Sequence, residues 1–371
     1  MTLTRNQLLV IPGWDAIYWE IYATTACNLR CSYCYNVTQQ ENTEPCYTIG
    51  ELVSFLKKYA RKGDSISFIG GEPSIRTGWI SGVISETRAF DFRYQIYTNG
   101  ISLGKFPPDF LNRFDNILVS IDGDEEQNDR YRGQGTFSKV IENLEIARPV
   151  FKGKIIARMT ATADNNVEKS VKALTALPYF DTVYWQYENR KDFHAYPTEQ
   201  KWDEIRNLTD FWVENLEQGR FIHLQTFVSI VVRLLDQEGN QAYHNEDYSL
   251  PHFTLGCGAG HHYMQIYITG DIYACPELVG QSCNLMGDIY TGITQSVRIG
   301  DFSNTDKCPQ CPEFEVCHCR CLHCTPCEYC SLLKRTIAEL RKKLPLIKAL
   351  IDSGTIDKED FYISEHLEEM F

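Results

Sequence analysis

Short runs of apolar, β-branched and aromatic residues recur through the first 217 residues, separated by stretches with helical periodicity. Such runs indicate buried β-strands, whereas apolar residues three and four positions apart indicate amphipathic helices. The predicted strands cover residues 17–23, 65–69, 94–98, 117–121, 154–162 and 182–187. The predicted helices between them include 49–60, 137–147 and 167–177. Thr48 and Glu51 have the spacing of a capping box at the start of the first helix.

The alternation of strands with helices predicts an α/β protein with a parallel sheet and external helices. Six such repeats over residues 17–217 predict a partial (β/α)6 barrel of the TIM-like type, preceded by an N-terminal extension at 1–16. Ligands of such barrels bind at the carboxyl ends of the strands. Residues in those positions are therefore the first candidates for a functional site.

The second half of the chain has a different pattern. The predicted parts are a helical bridge, a cysteine-rich domain and a C-terminal helical segment, at residues 218–256, 257–330 and 331–371. The cysteine-rich domain contains a predicted β-hairpin at 264–274, with Thr269 and Gly270 at its turn. In the last segment, Pro345 is expected to interrupt or kink a helix over 332–351.

The composition is distinguished by fifteen cysteines. Three lie within the first 34 residues, eight lie from Cys308 to Cys330, and none lies between Cys46 and Cys257. Because no secretory signal or membrane-spanning apolar run is found, these clusters indicate metal sites in a cytoplasmic protein without a membrane partner. The net charge of −13 argues against a nucleic-acid partner, since phosphate-binding surfaces are basic.

The most informative motif is Cys27-x3-Cys31-x2-Cys34, with the aromatic Tyr33 before the last cysteine. Three thiolates can hold three irons of a [4Fe–4S] cluster and leave the fourth iron open. An incomplete zinc site is the alternative. The motif resembles the signature of the radical S-adenosylmethionine (radical SAM) superfamily. The resemblance implies that Cys27, Cys31 and Cys34 carry a catalytic cluster, which binds S-adenosylmethionine and yields a radical that abstracts hydrogen from unreactive carbon.

Two further motifs follow the second and third predicted strands. Gly70, Gly71, Glu72 and Pro73 form one of them, and the two glycines let backbone approach a ligand closely. Such a run alone is more often a plain turn. Its place after the cysteine triplet resembles the family's GGEP motif, which implies binding of the amino group of S-adenosylmethionine. Asn99 lies in a Thr-Asn-Gly turn that also resembles the family and implies a cofactor contact.

Ser120 and Asp122 end the fourth predicted strand. Alternate strand residues share a face, so their two oxygens can meet the hydroxyls of a ribose. A plain strand-end turn is the alternative. The stretch 120–137 resembles one that is common in radical SAM enzymes acting on peptides.

Arg158 and Gln186 are polar residues on the fifth and sixth predicted strands. A charge in a strand is costly unless it is paired, so Arg158 has either a ligand or a core salt bridge. The resemblance implies that Arg158 meets the carboxylate of S-adenosylmethionine. Gln186 either faces the adenine or is a satisfied core residue, and Tyr33 is expected to pack near the adenine.

The C-terminal cysteines have the pattern Cys257-x12-Gly270-x4-Cys275, followed by Cys308-x2-Cys311-x5-Cys317-x3-Cys321. The pattern resembles the SPASM domain, whose members hold two auxiliary iron–sulfur clusters, usually [4Fe–4S]. A zinc ribbon over 308–321 is the alternative. The resemblance implies one cluster on Cys257, Cys275 and Cys321, and a second on Cys308, Cys311, Cys317 and Cys330.

Two departures from the SPASM pattern leave ligands open. Some relatives have another cysteine soon after the position of Cys257, where this chain has His261 and His262. The fourth ligand of the first auxiliary cluster is therefore one of these histidines, a substrate group or solvent, with Cys283 a remoter candidate. Cys324 and Cys327 compete with Cys330 to close the second cluster. No role is assigned to Cys46 or Cys319.

The resemblance implies hydrogen abstraction from a peptide or protein side chain, with a thioether or carbon–carbon crosslink as the product. A flavodoxin- or ferredoxin-type electron donor is implied. Because residues 1–16 alone precede the first strand, no fused N-terminal peptide-recognition domain is expected, and a leader peptide would bind the barrel mouth, the face of the cysteine-rich domain or a separate leader-peptide-binding protein. One alternative is a sulfatase maturase with Glu277 as base, although Pro276 separates Glu277 from Cys275. The others are a cofactor or haem maturase and a non-catalytic electron carrier.

Overall fold

The computed structural model describes residues 2–4, 16–34, 42–188, 199–239, 258–296, 310–317 and 328–361. Within these residues, ten strands form one sheet with the order β10-β9-β8-β7-β1-β2-β3-β4-β5-β6. The strands are β1 Tyr18–Thr24, β2 Ser65–Gly70, β3 Arg93–Thr98, β4 Asn116–Ser120, β5 Lys154–Ala161, β6 Thr182–Tyr187, β7 Tyr263–Ile266, β8 Asp271–Tyr273, β9 Leu285–Asp288 and β10 Gly292–Ile293.

The partial barrel predicted from the sequence is confirmed. Strands β1 to β6 are neighbours in chain order, and every pair among them is parallel. The predicted hairpin is also confirmed, as the antiparallel pair β7 and β8. Its position was not predicted: β7 pairs in parallel with β1, with Tyr263 opposite Tyr18. The C-terminal strands therefore extend the barrel sheet, and the predicted domain boundaries remain predictions.

Ten α-helices are found in the part of the chain that the structure describes. They are α1 Ile49–Tyr59, α2 Thr77–Thr87, α3 Pro108–Leu111, α4 Glu125–Arg132, α5 Thr136–Ala147, α6 Val167–Thr175, α7 Glu199–Glu217, α8 Gln225–Gly239, α9 Phe314–Cys317 and α10 Glu328–Asp352. The capping box of α1 is confirmed, because Glu51 N donates to Thr48 Oγ1 and Thr48 N donates to Glu51 Oε2. None of the helices described here combines the length and apolarity that crossing a bilayer requires.

The expected interruption at Pro345 is wrong, since α10 continues through it. Proline removes the hydrogen bond to the carbonyl four residues earlier, which belongs to Arg341. Both Pro345 and Arg341 are exposed. Water can therefore satisfy that carbonyl, and the helix tolerates the proline at a solvent-facing position.

The two faces of the barrel sheet differ in polarity. Trp19 of β1 packs against α1, with its ring centroid 5.6 Å from that of Phe55. The alternate residue Glu20 faces the other way and lies in register with Ser67 of β2 and Gln265 of β7. All three of these polar side chains are buried. The inner face of the barrel thus carries a polar layer, which suits a polar ligand better than an aliphatic one.

His223 lies at the outer edge of β6, where its carbonyl accepts from Val183 N at 3.0 Å. Burial and the charge of Lys154 lower the pKa of His223 to about 4. The unfolded chain therefore binds one more proton than the folded chain between about pH 6.5 and pH 4. We expect the urea midpoint to fall as the pH drops through this window, and the His223→Asn variant to lose part of that fall. Identical pH profiles for the two proteins would contradict the assignment.

Candidate active site

Three cysteines lie in one loop that leaves the carboxyl end of β1. Cys27, Cys31 and Cys34 are each half-buried, and Cys34 N donates to Cys31 O at 3.1 Å. The start of the loop is held by Thr43, whose carbonyl accepts from Thr24 Oγ1 at 2.7 Å. The cysteine triplet therefore lies just beyond the carboxyl end of a barrel strand, where ligands of such barrels bind.

The thiols of this loop fit a polynuclear cluster. Burial raises the pKa of Cys27 and of Cys31, and the neighbouring thiols raise both further. Thiolates in such a site are disfavoured until a cation neutralises them. Among the described side chains, no three His, Cys, Asp or Glu residues converge closely enough to hold a single metal ion. An iron–sulfur cluster does not need such convergence, because each thiolate binds a different iron.

Two glycines join the end of β2 to the cysteine loop. Gly71 N donates to Thr24 O at 2.9 Å, and Glu72 N donates to Ala26 O at 2.8 Å. A Cβ on Gly70 would lie 1.9 Å from Thr24 O, and one on Gly71 would lie 2.2 Å from Ala26 O. The sequence argument expected these glycines to admit a ligand. The close approach in the structure is instead to the backbone of the cysteine loop.

Gly71→Ala is therefore expected to displace the cysteine loop. Backbone carbonyls cannot move as cheaply as side chains, and a shift of about 1 Å at a reacting centre can cost roughly 100-fold in rate. We expect at least that loss in cleavage of S-adenosylmethionine, together with reduced iron binding. Gly78→Ala is the matched control, since a Cβ there meets no atom within 4 Å. Equal behaviour of the two variants would contradict the steric argument.

Glu72 is buried beside this junction, and Pro73 opens a short 3-10 turn after it. Glu72 Oε1 accepts from Ser74 N at 3.0 Å and Thr98 Oγ1 at 2.8 Å, and Glu72 Oε2 accepts from Asn99 N at 2.7 Å. Burial raises the pKa of Glu72, against the effect of these bonds. With a further bond from the Ser74 side chain, these donors use about four acceptor positions of the carboxylate, so an ammonium group would replace one of them.

Asn99 links this carboxylate to the cysteine loop. Its Nδ2 donates to Asn28 Oδ1 at 2.7 Å and lies 4.0 Å from Cys27 Sγ. Leu29 N also donates to Cys27 Sγ, at 3.4 Å. Glu72 and Asn99 are thus brought together next to a predicted cluster ligand. Asn28 was not predicted as a site residue, and its position between Cys27 and Cys31 was the only signal for it in the sequence.

Ser120 and Asp122 have different surroundings in the structure. Ser120 is half-buried at the end of β4, in register with Arg158 of β5. Asp122 is fully buried and forms a bidentate ion pair with Arg132, at 2.8 and 2.9 Å. It also accepts from Tyr33 OH at 2.5 Å and Thr160 N at 2.9 Å. A ribose contact by Asp122 would have to replace one of these bonds, whereas Ser120 lies at the opening.

Arg132 is a site residue that the sequence reasoning missed. Although burial opposes it, the Asp122 carboxylate raises the pKa of Arg132, so the guanidinium stays charged. Its guanidinium carbon lies 5.5 Å from the centre of the Tyr33 ring. Ser32 N donates to Tyr131 O at 2.9 Å. The cysteine loop is therefore fastened to α4 at two adjacent positions.

The stretch 120–137 owes its pattern to internal hydrogen bonds. Asp129 accepts from Gly135 N at 2.5 Å and Phe137 N at 2.8 Å, at the start of α5. Asn128 Oδ1 accepts from Asp122 N at 3.2 Å. Helix α4 is therefore held in place by these hydrogen bonds, since it has no apolar stripe, and they place Arg132 against the cysteine loop.

Arg158 and Gln186, which were predicted separately, are in contact. Arg158 Nη2 donates to Gln186 Oε1, and Gln186 Nε2 donates to Tyr184 OH at 2.8 Å. The Arg158 guanidinium carbon lies 4.6 Å from the centre of the Tyr184 ring. Both predicted residues are half-buried at the mouth of the barrel, where their contacts with S-adenosylmethionine remain predictions.

The described C-terminal cysteines lie in several elements. Cys275 follows β8, Cys311 precedes α9, Cys317 is the last residue of α9, and Cys330 lies in the first turn of α10. Each of these four is half-buried, whereas Cys46 and Cys283 are exposed. The other predicted or competing cysteines fall outside the described residues: Cys257, Cys308, Cys319, Cys321, Cys324 and Cys327. The two auxiliary ligand sets therefore stay predictions.

The other residues considered for the auxiliary site lie near β7 and β8. His261 and His262 are both buried, and His262 O accepts from Tyr18 N at 2.6 Å at the foot of β1. Glu277 lies half-buried in the short turn Pro276–Leu278 directly after Cys275. Neither histidine is thus a surface residue, and Glu277 is next to a predicted cluster ligand.

Comparison with known proteins identifies the class of the barrel. Residues 21–174 match the model of the Radical SAM superfamily, and they include the cysteine loop, the two glycines, Ser120 and Arg158. The barrel is a radical SAM domain. Such a domain implies a [4Fe–4S] cluster and S-adenosylmethionine, which the three thiols and the surrounding polar groups fit.

Several of the relatives are maturating enzymes by name. The chain is 26% identical over 243 residues to the cysteine-type anaerobic sulfatase-maturating enzyme of Clostridium novyi (strain NT), covering 57% of this chain and 64% of that enzyme. It is 25% identical over 335 residues to the mycofactocin maturase MftC of Mycolicibacterium smegmatis, covering 84% of this chain and 79% of that maturase. The solved structure of hexahistidine-tagged anSMEcpe with bound AdoMet has a TM-score of 0.72 at 17% identity, and the match covers 95% of this chain and 100% of that one. The chain thus spans less than two thirds of the first of these relatives.

Proposed function

We propose that this protein cleaves S-adenosylmethionine reductively and abstracts hydrogen from a peptide or protein side chain. The observation that carries the proposal is the loop of Cys27, Cys31 and Cys34 bonded directly to the Gly71–Glu72 turn. A [4Fe–4S] cluster held by these three cysteines would supply the electron for reductive cleavage of S-adenosylmethionine, and the cleaved cofactor would accept the hydrogen taken from the substrate carbon.

The chain's own residues bind and orient the cofactor. The carboxylate of Glu72 receives the amino group in place of one of its present donors, and Ser120 receives a ribose hydroxyl. Arg158, which contacts the amide of Gln186 and the ring of Tyr184, pairs with the methionyl carboxylate, as the family resemblance implies. Gln186 and Tyr33 border the adenine. These contacts place the scissile bond beside the three thiols and exclude water from it.

A peptide substrate is supported by the relatives. Two related structures were solved as anSMEcpe with a Cp18Cys peptide and as SuiB with its precursor peptide SuiA, and they share the fold of this chain. The product we propose is a thioether or carbon–carbon crosslink. Auxiliary clusters on the cysteines predicted above would supply an acceptor for the electron that formation of this crosslink releases. A flavodoxin- or ferredoxin-type protein delivers the first electron, and a separate protein presents the leader peptide.

Sulfatase maturation is the second candidate, favoured by the position of Glu277. Its carboxylate lies two residues after Cys275, in a half-buried turn. A base there can remove the proton that accompanies oxidation of a cysteine or serine side chain to an aldehyde. An aldehyde-reactive hydrazide probe on a Cys-containing sulfatase peptide distinguishes this product from a crosslink.

The proposed function is tested with anaerobically reconstituted full-length protein. Dithionite and S-adenosylmethionine are added, and 5′-deoxyadenosine is measured by liquid chromatography and mass spectrometry. We expect its formation without added substrate, at a rate that rises when the correct peptide is present. Bound zinc with no cleavage would overturn the proposal.

A further inference from the structure

Asn99 stands out among the residues near the cysteine loop because its contacts join three segments of the chain. It follows β3, and the exposed fraction of its side chain is 8%. Its backbone nitrogen donates to Glu72 Oε2 at 2.7 Å, and its side-chain nitrogen donates to Asn28 Oδ1 at 2.7 Å. A contact with S-adenosylmethionine, which the family resemblance implies for Asn99, does not account for these bonds.

The orientation of the Asn99 amide is fixed by its neighbours. Ile101 N donates to Asn99 Oδ1 at 3.0 Å. A backbone nitrogen can only donate, so the atom facing Ile101 is the oxygen, and the amide nitrogen faces Asn28 and Cys27. This nitrogen carries two hydrogens, and Asn28 Oδ1 accepts one of them. The second hydrogen is available to the sulfur of Cys27.

The sulfur of Cys27 is thereby approached by two N–H donors. Leu29 N is the nearer donor, at 3.4 Å, and Asn99 Nδ2 is the farther one, at 4.0 Å. Hydrogen bonds to the sulfurs are among the factors that set the reduction potential of an iron–sulfur cluster. The positive end of an N–H dipole stabilises the electron that the cluster gains. Loss of a donor to Cys27 Sγ is therefore expected to lower the potential.

Asn99 also lies between two negative groups. Its backbone nitrogen donates to the Glu72 carboxylate, while its side chain faces the Cys27 sulfur. Like charges repel, and the repulsion increases when a cluster on Cys27 takes up an electron. The donors of Asn99 reduce this repulsion from both sides. An aspartate at the same position would instead add a third negative group.

We propose that Asn99 sets the reduction potential of the barrel cluster by directing an amide hydrogen to Cys27 Sγ, with Asn28 holding the amide in place. Asn99 is a positioning residue in this role, because it acts through a cluster ligand. The proposal rests on the proposed function, which supplies the expectation of a cluster on the three cysteines. It goes beyond the contact with S-adenosylmethionine, since the effect is present before that cofactor binds.

The test is a redox titration of anaerobically reconstituted full-length protein without S-adenosylmethionine, followed by electron paramagnetic resonance. The signal of the barrel cluster is the one that changes when S-adenosylmethionine is added afterwards. We expect Asn99→Ala to lower the ratio of reduced to oxidised cluster about tenfold at a given potential, a shift of about 59 mV for one electron. Asn99→Asp keeps an acceptor for Ile101 N but loses the amide hydrogens, so a larger decrease is expected.

Asn207→Ala is the matched control, because Asn207 is exposed and its side chain donates to Glu168 at 3.2 Å, away from the cysteine loop. We expect the wild-type potential from this variant. Asn28→Ala removes the acceptor that orients the Asn99 amide, so its potential should fall in the same direction by a smaller amount. Iron and sulfide counts show whether each variant holds its cluster.

Unchanged potentials in Asn99→Ala and Asn99→Asp, at wild-type iron content, would overturn the proposal. If those two variants bind no iron, an unchanged potential in Asn28→Ala would overturn it, since the Asn28 side chain is exposed and its loss leaves the packing intact. A wild-type protein that holds the cluster but does not cleave S-adenosylmethionine would instead overturn the proposed function. The redox titration would still report on Asn99 in that case.

Discussion

Cys31→Ala is expected to abolish 5′-deoxyadenosine formation and to remove about four irons per chain. The reason is that Cys31 is the middle member of three thiols in one loop, so two ligands remain after its loss. A cluster with two protein ligands on one loop has neither the charge balance nor the geometry to persist. Iron and sulfide counts, with chromatographic detection of 5′-deoxyadenosine, measure both effects.

The control for this experiment is Cys46→Ala. Cys46 belongs to the segment in which Thr43 bonds to the start of the loop, and its own nitrogen donates to Ile268 O at 2.7 Å, yet its side chain is exposed. We expect wild-type iron content and cleavage from this variant. Retention of cleavage by Cys31→Ala would remove the cysteine loop from the mechanism.

Asp122→Ala is expected to lower the free energy of unfolding by about 3–5 kcal/mol, because it leaves the charge of Arg132 buried and unpaired. Arg132 is 7% exposed and its partner Asp122 is 0% exposed. The same change removes the acceptor of the Tyr33 hydroxyl. Urea denaturation measures the stability, and titration with S-adenosylmethionine measures the effect on the cysteine loop.

Asp203→Ala is the matched control, because its ion pair with Arg206 is solvent-exposed. Exposed pairs contribute about 0–1 kcal/mol, so little change is expected. The double variant Asp122→Leu, Arg132→Met should regain stability, since an apolar pair can replace a buried ion pair. It should not regain affinity for S-adenosylmethionine if the pair also positions Tyr33. Equal losses in Asp122→Ala and Asp203→Ala would show that the buried pair has no special role.

The barrel could be predicted from the sequence because its signals are local. Apolar runs located β1 to β6 within one or two residues, and Thr48 with Glu51 located the start of α1. Helix α4 has no such signal, since its sequence is almost wholly polar and it is held by bonds to Asp129 and its neighbours. The pairing of β7 with β1 joins residues about 245 positions apart, which no local pattern can indicate.

The site could be predicted as far as residue types and spacing specify it. The three thiols of one loop follow directly from the short separations of Cys27, Cys31 and Cys34. Strand alternation predicted a shared face for Ser120 and Asp122 but could not reveal that Arg132 returns to Asp122. Likewise, the sequence showed that Gly71 needs space, but not that the space is taken by the carbonyl of Ala26. Contacts between distant segments are what the sequence alone leaves open.

The parallel pairing of β7 with β1 fixes the distance between the two cysteine regions along the strands. Glu20 of β1 pairs with Gln265 of β7, which pairs with Tyr273 of β8. From this shared level, β1 runs toward the cysteine loop, whereas β8 runs in the opposite direction toward Cys275. At about 3.3 Å per residue, the four residues from Glu20 to Thr24 and the two from Tyr273 to Cys275 span roughly 20 Å. Insertions in the connecting loops leave this span unchanged. Any charge exchanged between the two cysteine regions therefore crosses a gap that strand geometry alone determines.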